Sequence, residues 1–112
     1  EIMNVIGDVS GKVAILLDDM IDTAGTLTQA AAAIKEKGAT QVFAYATHPV
    51  LSGHAIERIE KSPLSKLIVT DSMPIGQDKL ASGRIVVLTI AELLARAIKN
   101  IHEETSVTSL FV

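Results

Sequence analysis

The sequence predicts a single α/β domain built on a mostly parallel sheet flanked by helices. Three observations lead there. Four short apolar runs recur along the chain without clean polar alternation, which is what a parallel sheet covered on both faces needs. Helical periodicity separates or follows these runs. At 112 residues the chain fits one domain, residues 1–112, because single domains most often run to roughly 100–150 residues.

The first strand run is Val13-Ala14-Ile15-Leu16-Leu17. After it, Leu27, Ala30, Ala31 and Ile34 fall at helical spacing, with Lys35 and Lys37 in the last turn and Gly38 as the cap. Val42-Phe43-Ala44-Tyr45-Ala46 is the second run. A shorter helix follows near 53–61, with Ser52 as its N-cap, Ile56 and Ile59 on its inner face, and Ser62-Pro63 as its stop. Leu67-Ile68-Val69-Thr70 is the third run and Ile85-Val86-Val87-Leu88 the fourth. Between them, residues 72–84, with Pro74, Gly76 and Gly83, form the one long connection, a length that goes with function or mobility. Ile90, Leu93, Leu94, Ala97, Ile98 and Ile101 then keep the i, i+3, i+4, i+7 pattern, which predicts a final helix over roughly 90–103.

Composition narrows the function classes. Hydrophobic residues make up 48% of the chain but aromatics only 3%, so the core is built from Ala, Val, Ile and Leu. With no cysteine there is neither a disulfide nor a thiolate metal site, which fits a reducing cytoplasm. A net charge of −3 and scattered Lys and Arg provide no field for nucleic acid or anionic membrane. No apolar run approaches the ~20 residues of a membrane helix. Glu1-Ile2-Met3-Asn4 lacks the basic start of a signal peptide. The expectation is a soluble, cytoplasmic protein; the absence of Met at position 1 suggests a fragment or a processed product.

In open parallel sheets, ligands bind beyond the carboxyl ends of the strands. The four runs lead into Asp18-Asp19, Thr47-His48-Pro49, Thr70-Asp71-Ser72 and Thr89, so polar groups gather at one rim. The strongest signal is Asp18-Asp19-Met20-Ile21-Asp22-Thr23-Ala24-Gly25-Thr26. Ala24-Gly25 lets backbone approach a ligand, and the first N–H groups of the following helix are unpaired donors beside a positive dipole end. They can cradle a phosphate, with Thr23 and Thr26 adding hydroxyls. A carboxylate repels phosphate but accepts hydrogen bonds from sugar hydroxyls or coordinates Mg²⁺. A pentose 5-phosphate satisfies both halves. An acidic pair alone is equally readable as a solvated loop with a helix cap; the attached Asp22–Thr26 stretch is what favours a site.

The run VAILLDDMIDTAGTL resembles the PRPP-binding signature of type I phosphoribosyltransferase folds. Asn4-Val5-Ile6-Gly7-Asp8-Val9, Thr47-His48-Pro49-Val50-Leu51-Ser52-Gly53 and Ser106-Val107-Thr108-Ser109-Leu110-Phe111 are similar, in order and spacing, to class I ribose-phosphate pyrophosphokinases, the PRPP synthetases. The resemblance implies a Rossmann-like three-layer phosphoribosyltransferase fold. It also implies transfer of diphosphate from ATP to the anomeric hydroxyl of ribose 5-phosphate, with Mg²⁺, giving PRPP and AMP. Carried over, Asp18 and Asp22 hold ring hydroxyls while Thr23, Ala24, Gly25 and Thr26 hold the 5-phosphate. Asp19, His48 and Asp71 are candidate supports. His48 is readable as a rim residue fixed by its turn, and Asp71 either touches substrate or caps a turn.

The family's ATP loop, metal ligands and catalytic Lys-Arg pair lie upstream of the block that starts this chain. The resemblance therefore assigns no catalytic residue here, makes the amino-terminal half a necessary partner, and leads one to expect the isolated chain to make no PRPP. It also implies a homo-oligomer, hexameric in the family, in which Ser106, Thr108, Ser109 and Phe111 help form a regulatory phosphate and ADP site. Without it, the tail reads as a frayed terminus. His54 departs from the family's usual Pro, and His102 at a helix end complements the dipole. Two alternatives are a non-catalytic binding or regulatory module of the same fold and a phosphoacceptor receiver domain. The receiver would need a Lys at a later strand end, where the chain has Leu88-Thr89-Ile90.

Overall fold

The structure, a computed structural model, describes residues 5–111. Glu1 to Asn4, on which the expectations about the chain's start and about Asn4 rest, and Val112 lie outside the described residues. Four strands, β1 (Val13–Ile21), β2 (Gln41–Pro49), β3 (Leu64–Thr70) and β4 (Ile85–Leu88), form one wholly parallel sheet in the order β1-β2-β3-β4. The helices are α1 (Gly25–Glu36), α2 (Ala55–Lys61), α3 (Gln77–Leu80) and α4 (Ala91–His102), followed by a 3₁₀ turn at Thr108–Phe111.

The core lies on one face of the sheet. Val42, Ala44 and Ala46 of β2 and Leu64, Leu67 and Val69 of β3 are buried in one cluster with Ala31 of α1 and Ala55 and Ile59 of α2. Leu64 and Leu67 share this face although three residues apart, because the β2–β3 register slips between Val42 and Phe43. Small alanines on β2 and α1 let helix and sheet approach closely. Gly38, at φ +102° and with Ser10 Oγ only 3.0 Å from where a Cβ would stand, closes α1 as expected.

The second face differs from the expectation of a sheet covered on both sides. Ile15, Leu17, Tyr45, Val86 and Leu88 are exposed, Leu17 by 80%. Topology supplies the reason. Crossovers between parallel strands are right-handed, so a sheet that advances steadily in one direction puts all its connections on one face; covering the other requires the strand order to reverse. No reversal occurs among the described strands. The apolar stripe of α4 does not substitute, since Leu94, Ile98 and Ile101 are exposed and α4 packs on the 108–111 turn.

Local departures have simple causes. β1 and β2 run past their apolar cores, pairing Asp18 with Ala46, Met20 with His48 and Ile21 with Pro49. Ladder pairing uses the backbone, so polar side chains at a solvated rim do not end it. The long connection 72–84 contains the short α3. The second helix begins at Ala55 with His54 in the N-cap position, and Ser52 does not cap it. The Ser52 carbonyl accepts from Ala55 N–H at 3.2 Å, while its hydroxyl turns to the carboxylate of Asp22, a charged acceptor that holds a donor more strongly than a neutral one. His54 Nδ1 sits 3.3 Å from Glu57 Oε2. Among the described residues no helix is long and apolar enough to cross a membrane.

Candidate functional site

Where β1 ends, the chain turns into α1 through Asp22, Thr23 and Ala24. Ala24 adopts φ 64° and ψ 12°, a left-handed conformation that costs a residue with a Cβ about 1–2 kcal/mol, and it is buried. That turn lets the extended strand meet the helix within three residues. Thr28 ties the first turn together, its N–H reaching Ala24 O at 3.0 Å and its hydroxyl the same oxygen at 2.7 Å. The N–H groups of Gly25, Thr26 and Leu27 start the helix and have no acceptor within it. Asp18 and the stretch Asp22–Leu27 line one open hollow of about 200 Å³. All six residues expected to bind substrate, Asp18 and Asp22 to Thr26, meet there.

A second segment holds this loop from behind. Leu51 N–H donates to Ile21 O at 3.1 Å, Ser52 N–H to Asp22 O at 3.1 Å, and Arg58 Nη1 to Thr23 O at 2.9 Å. The Ser52 hydroxyl donates to Asp22 Oδ1. Leu51 is itself left-handed, at φ 51°, and buried, and Lys79 Nζ on α3 grips its carbonyl at 3.0 Å. Sequence reasoning missed Arg58 and Lys79 as supports and gave Ser52 a different task. No local signal could have found Arg58, whose partner lies 35 residues away.

The remaining candidates spread along the rim and do not line the hollow. Asp18 Oδ1 accepts from Asp19 N–H at 2.8 Å, and Asp19 Oδ1 from Met20 N–H at 2.7 Å. Side-chain hydrogen bonding with Asp18 and then the N–H of Met20 hold the Asp19 carboxyl below its ordinary value, with the nearby His48 adding to the effect. His48 Nδ1 lies 2.9 Å from Ser72 Oγ, and both Ser72 Oγ and Thr70 Oγ1 donate to Thr47 O. Asp71 Oδ1 accepts from Ile90 N–H at 2.9 Å, fastening the end of β3 to the entry of α4. In the tail, Thr108 N–H donates to Ser106 Oγ at 3.2 Å and Ser109 Oγ to Ser106 O at 3.1 Å, while Phe111 is exposed.

Asp71 permits a pH prediction. The hydroxyl of Thr89 and then the N–H of Ile90 hold its carboxyl below the ordinary 3.8. A depressed folded-state value stabilises the fold above the unfolded-state pKa and loses that stabilisation as pH falls through the folded value. The melting temperature should therefore fall on acidification below about pH 4, and Asp71→Asn should flatten that fall. Superimposable melting profiles for the two proteins would contradict the assignment. The group is exposed, so water keeps the effect small.

As to metals, no three His, Asp or Glu side chains converge on a possible ion site among the described residues. Asp18 Oδ1 and Asp19 Oδ1 each accept from the following backbone N–H, and Asp22 Oδ1 accepts from the Ser52 hydroxyl.

Comparison with known proteins adds a separate line of observation. A family model described as the phosphoribosyl synthetase-associated domain matches residues 1–112. The ribose-phosphate pyrophosphokinase of Bordetella pertussis is 54% identical over 111 residues, covering 99% of this chain and 36% of that protein. The enzyme of that name from Listeria ivanovii is 53% identical, with 99% and 35% covered. The crystal structure of phosphoribosylpyrophosphate synthetase from Mycobacterium smegmatis superposes with a TM-score of 0.83 at 44% identity, over 88% of this chain and 33% of that one. The chain thus spans about 36% of the length of the first curated relative it matches.

Proposed function

Because the chain belongs to the phosphoribosyl synthetase-associated domain family, we propose that it is the ribose 5-phosphate-binding part of a ribose-phosphate pyrophosphokinase. The observation that carries this reading is a hollow lined by two chemically different sets of groups. The start of α1 with its unpaired N–H groups, Thr23 and Thr26, and the acidic Asp18 and Asp22 all line it, so phosphate-type donors and sugar-type acceptors share one hollow. A phosphate suits the first and a sugar diol the second. Gly25 supports it further. Its φ is not positive, and an added Cβ would meet nothing closer than Thr23 Oγ1 at 3.9 Å, so the protein's own packing does not require glycine there. A ligand phosphate lying against the backbone would.

In the whole protein, diphosphate would pass from ATP to the C1 hydroxyl of ribose 5-phosphate, giving PRPP and AMP. Such transfers rest on positioning and charge neutralisation, without a covalent nucleophile from the protein. The residues of this chain supply position: the α1 end fixes the 5-phosphate, and the carboxylates orient the ring so that C1 faces the donor. Mg²⁺, bound with ATP, would neutralise charge on the phosphates. The ATP site would come from an amino-terminal half, in a cytoplasmic homo-oligomer, with Ser106, Thr108, Ser109 and Phe111 at an effector site for phosphate and ADP. Asp19 and His48 would support the rim from beside the hollow.

Calorimetric titration of the chain with ribose 5-phosphate tests the reading, and Gly25→Ala sharpens it. The substitution should leave the melting temperature equal or slightly raised, since Ala is favoured over Gly in a helix by about 0.5–1 kcal/mol. Affinity for ribose 5-phosphate and for inorganic phosphate should fall together. Undiminished affinity, or no binding by the unsubstituted chain, would refute the site.

A further inference from the structure

Three consecutive carbonyls at the end of β1, those of Ile21, Asp22 and Thr23, are all engaged by donors from residues 51–58. A trans peptide is planar, with each carbonyl opposed to the N–H that follows it, and no cis peptide occurs among the described residues. The N–H groups of Asp22, Thr23 and Ala24 are therefore turned away from that segment. Successive N–H groups in a turn of this kind form a concavity for anions. The same segment fixes the carboxylate, because Asp22 Oδ1 takes the Ser52 hydroxyl and is left with its other oxygen and remaining lone pair for a ligand. One short stretch of chain thus orients both sets of groups in the hollow, the backbone donors through Arg58 and the carboxylate through Ser52.

We propose that Arg58 and Ser52 are positioning residues for ribose 5-phosphate, Arg58 aiming the loop's phosphate-binding N–H groups and Ser52 aiming the carboxylate of Asp22 at the sugar. The assignment rests on the site reading above. It divides the labour in a way that a general stabilising role would not. Arg58 touches only the Thr23 carbonyl of the loop, so its loss should weaken every phosphate ligand. Ser52 through its hydroxyl touches only the Asp22 side chain, so its loss should weaken only ligands that carry sugar hydroxyls. Both residues are exposed, so their substitution leaves the core intact.

Calorimetry with ribose 5-phosphate and inorganic phosphate on the full chain separates these outcomes. Arg58→Met should lower affinity for both ligands about threefold to tenfold, and Arg58→Lys, which keeps a donor, should recover part of it. Ser52→Ala should lower affinity for the sugar phosphate about threefold to tenfold and leave inorganic phosphate unchanged; Ser52→Thr should restore it. In an Asp22→Ala background, Ser52→Ala should have no further effect, since the group it orients is gone. The Ala24 amide should shift in the proton–nitrogen spectrum of Arg58→Met before any ligand is added. If the unsubstituted chain binds and both variants bind equally well, the positioning roles are wrong while the site stands. If Ser52→Ala costs both ligands alike, or adds fully to Asp22→Ala, its role is structural. If the unsubstituted chain binds neither ligand, the site reading falls and the proposal with it. Should Arg58→Met unfold, Arg58→Gln takes its place, and undiminished affinity for both ligands in a folded Arg58→Gln whose Ala24 amide has shifted would overturn the part assigned to Arg58.

Discussion

Asp22→Ala is expected to weaken ribose 5-phosphate binding by about tenfold to a hundredfold, because a hydrogen bond to a charged group contributes about 1.5–3 kcal/mol. The carboxylate stands where β1 gives way to α1, held by the Ser52 hydroxyl on one oxygen. Inorganic phosphate provides the internal comparison, since it would engage only the helix end and the threonine hydroxyls. Its affinity should change little, or rise slightly once a repelling negative charge is removed. Asp8→Ala is the matched control: its carboxylate accepts from Ser10 N–H in an exposed turn ahead of β1 and lines no part of the hollow. Equal losses for the two ligands, or a gain for the sugar phosphate, would mean that the two sets of groups in the hollow are assigned wrongly.

The second large effect concerns stability. Leu67 is fully buried beneath the helices, whereas Leu17 is 80% exposed on the opposite face. Leu67→Ala should destabilise the chain by about 2–5 kcal/mol, the range for removing a buried leucine side chain. Leu17→Ala should change stability by no more than about 0.5 kcal/mol, as surface substitutions do. Urea unfolding at two protein concentrations measures both. A large loss at Leu17 that grows with concentration would show that copies of the chain cover this face by self-association.

Much of the fold was legible because its signals are local. Each apolar run became a parallel strand, and the spacing of Leu27, Ala30, Ala31 and Ile34 marked the first helix, with the glycine at 38 just past its end. The loop from Asp18 to Thr26 was legible for the same reason, since its donors, acceptors and small residues are contiguous. What the sequence concealed was relational. Nothing in Val13–Leu17 distinguishes a strand covered on both faces from one covered on one, because that depends on strand order and crossover hand. Ser52 has the residue type of a helix cap, yet its hydroxyl prefers a carboxylate 30 residues away in sequence. Arg58 looked like one more charge on an exposed helix face, and only the folded chain sets it against the Thr23 carbonyl.

The strand order also bears on how the molecule comes together. Each strand pairs with its sequence neighbour, and every pairing is closed by one crossover that contains a single helix. Closing a loop costs more entropy as it lengthens, so a sheet built this way meets its smallest cost at every step and can grow strand by strand from its amino-terminal edge. The phosphate loop and the segment that braces it belong to the first two of these steps. By residue 58 both partners of every direct hydrogen bond between them are already on the chain. β3 and β4 extend the sheet, but they contribute no direct bond between the loop and that segment, so the binding loop can be braced before the second half of the sheet is in place.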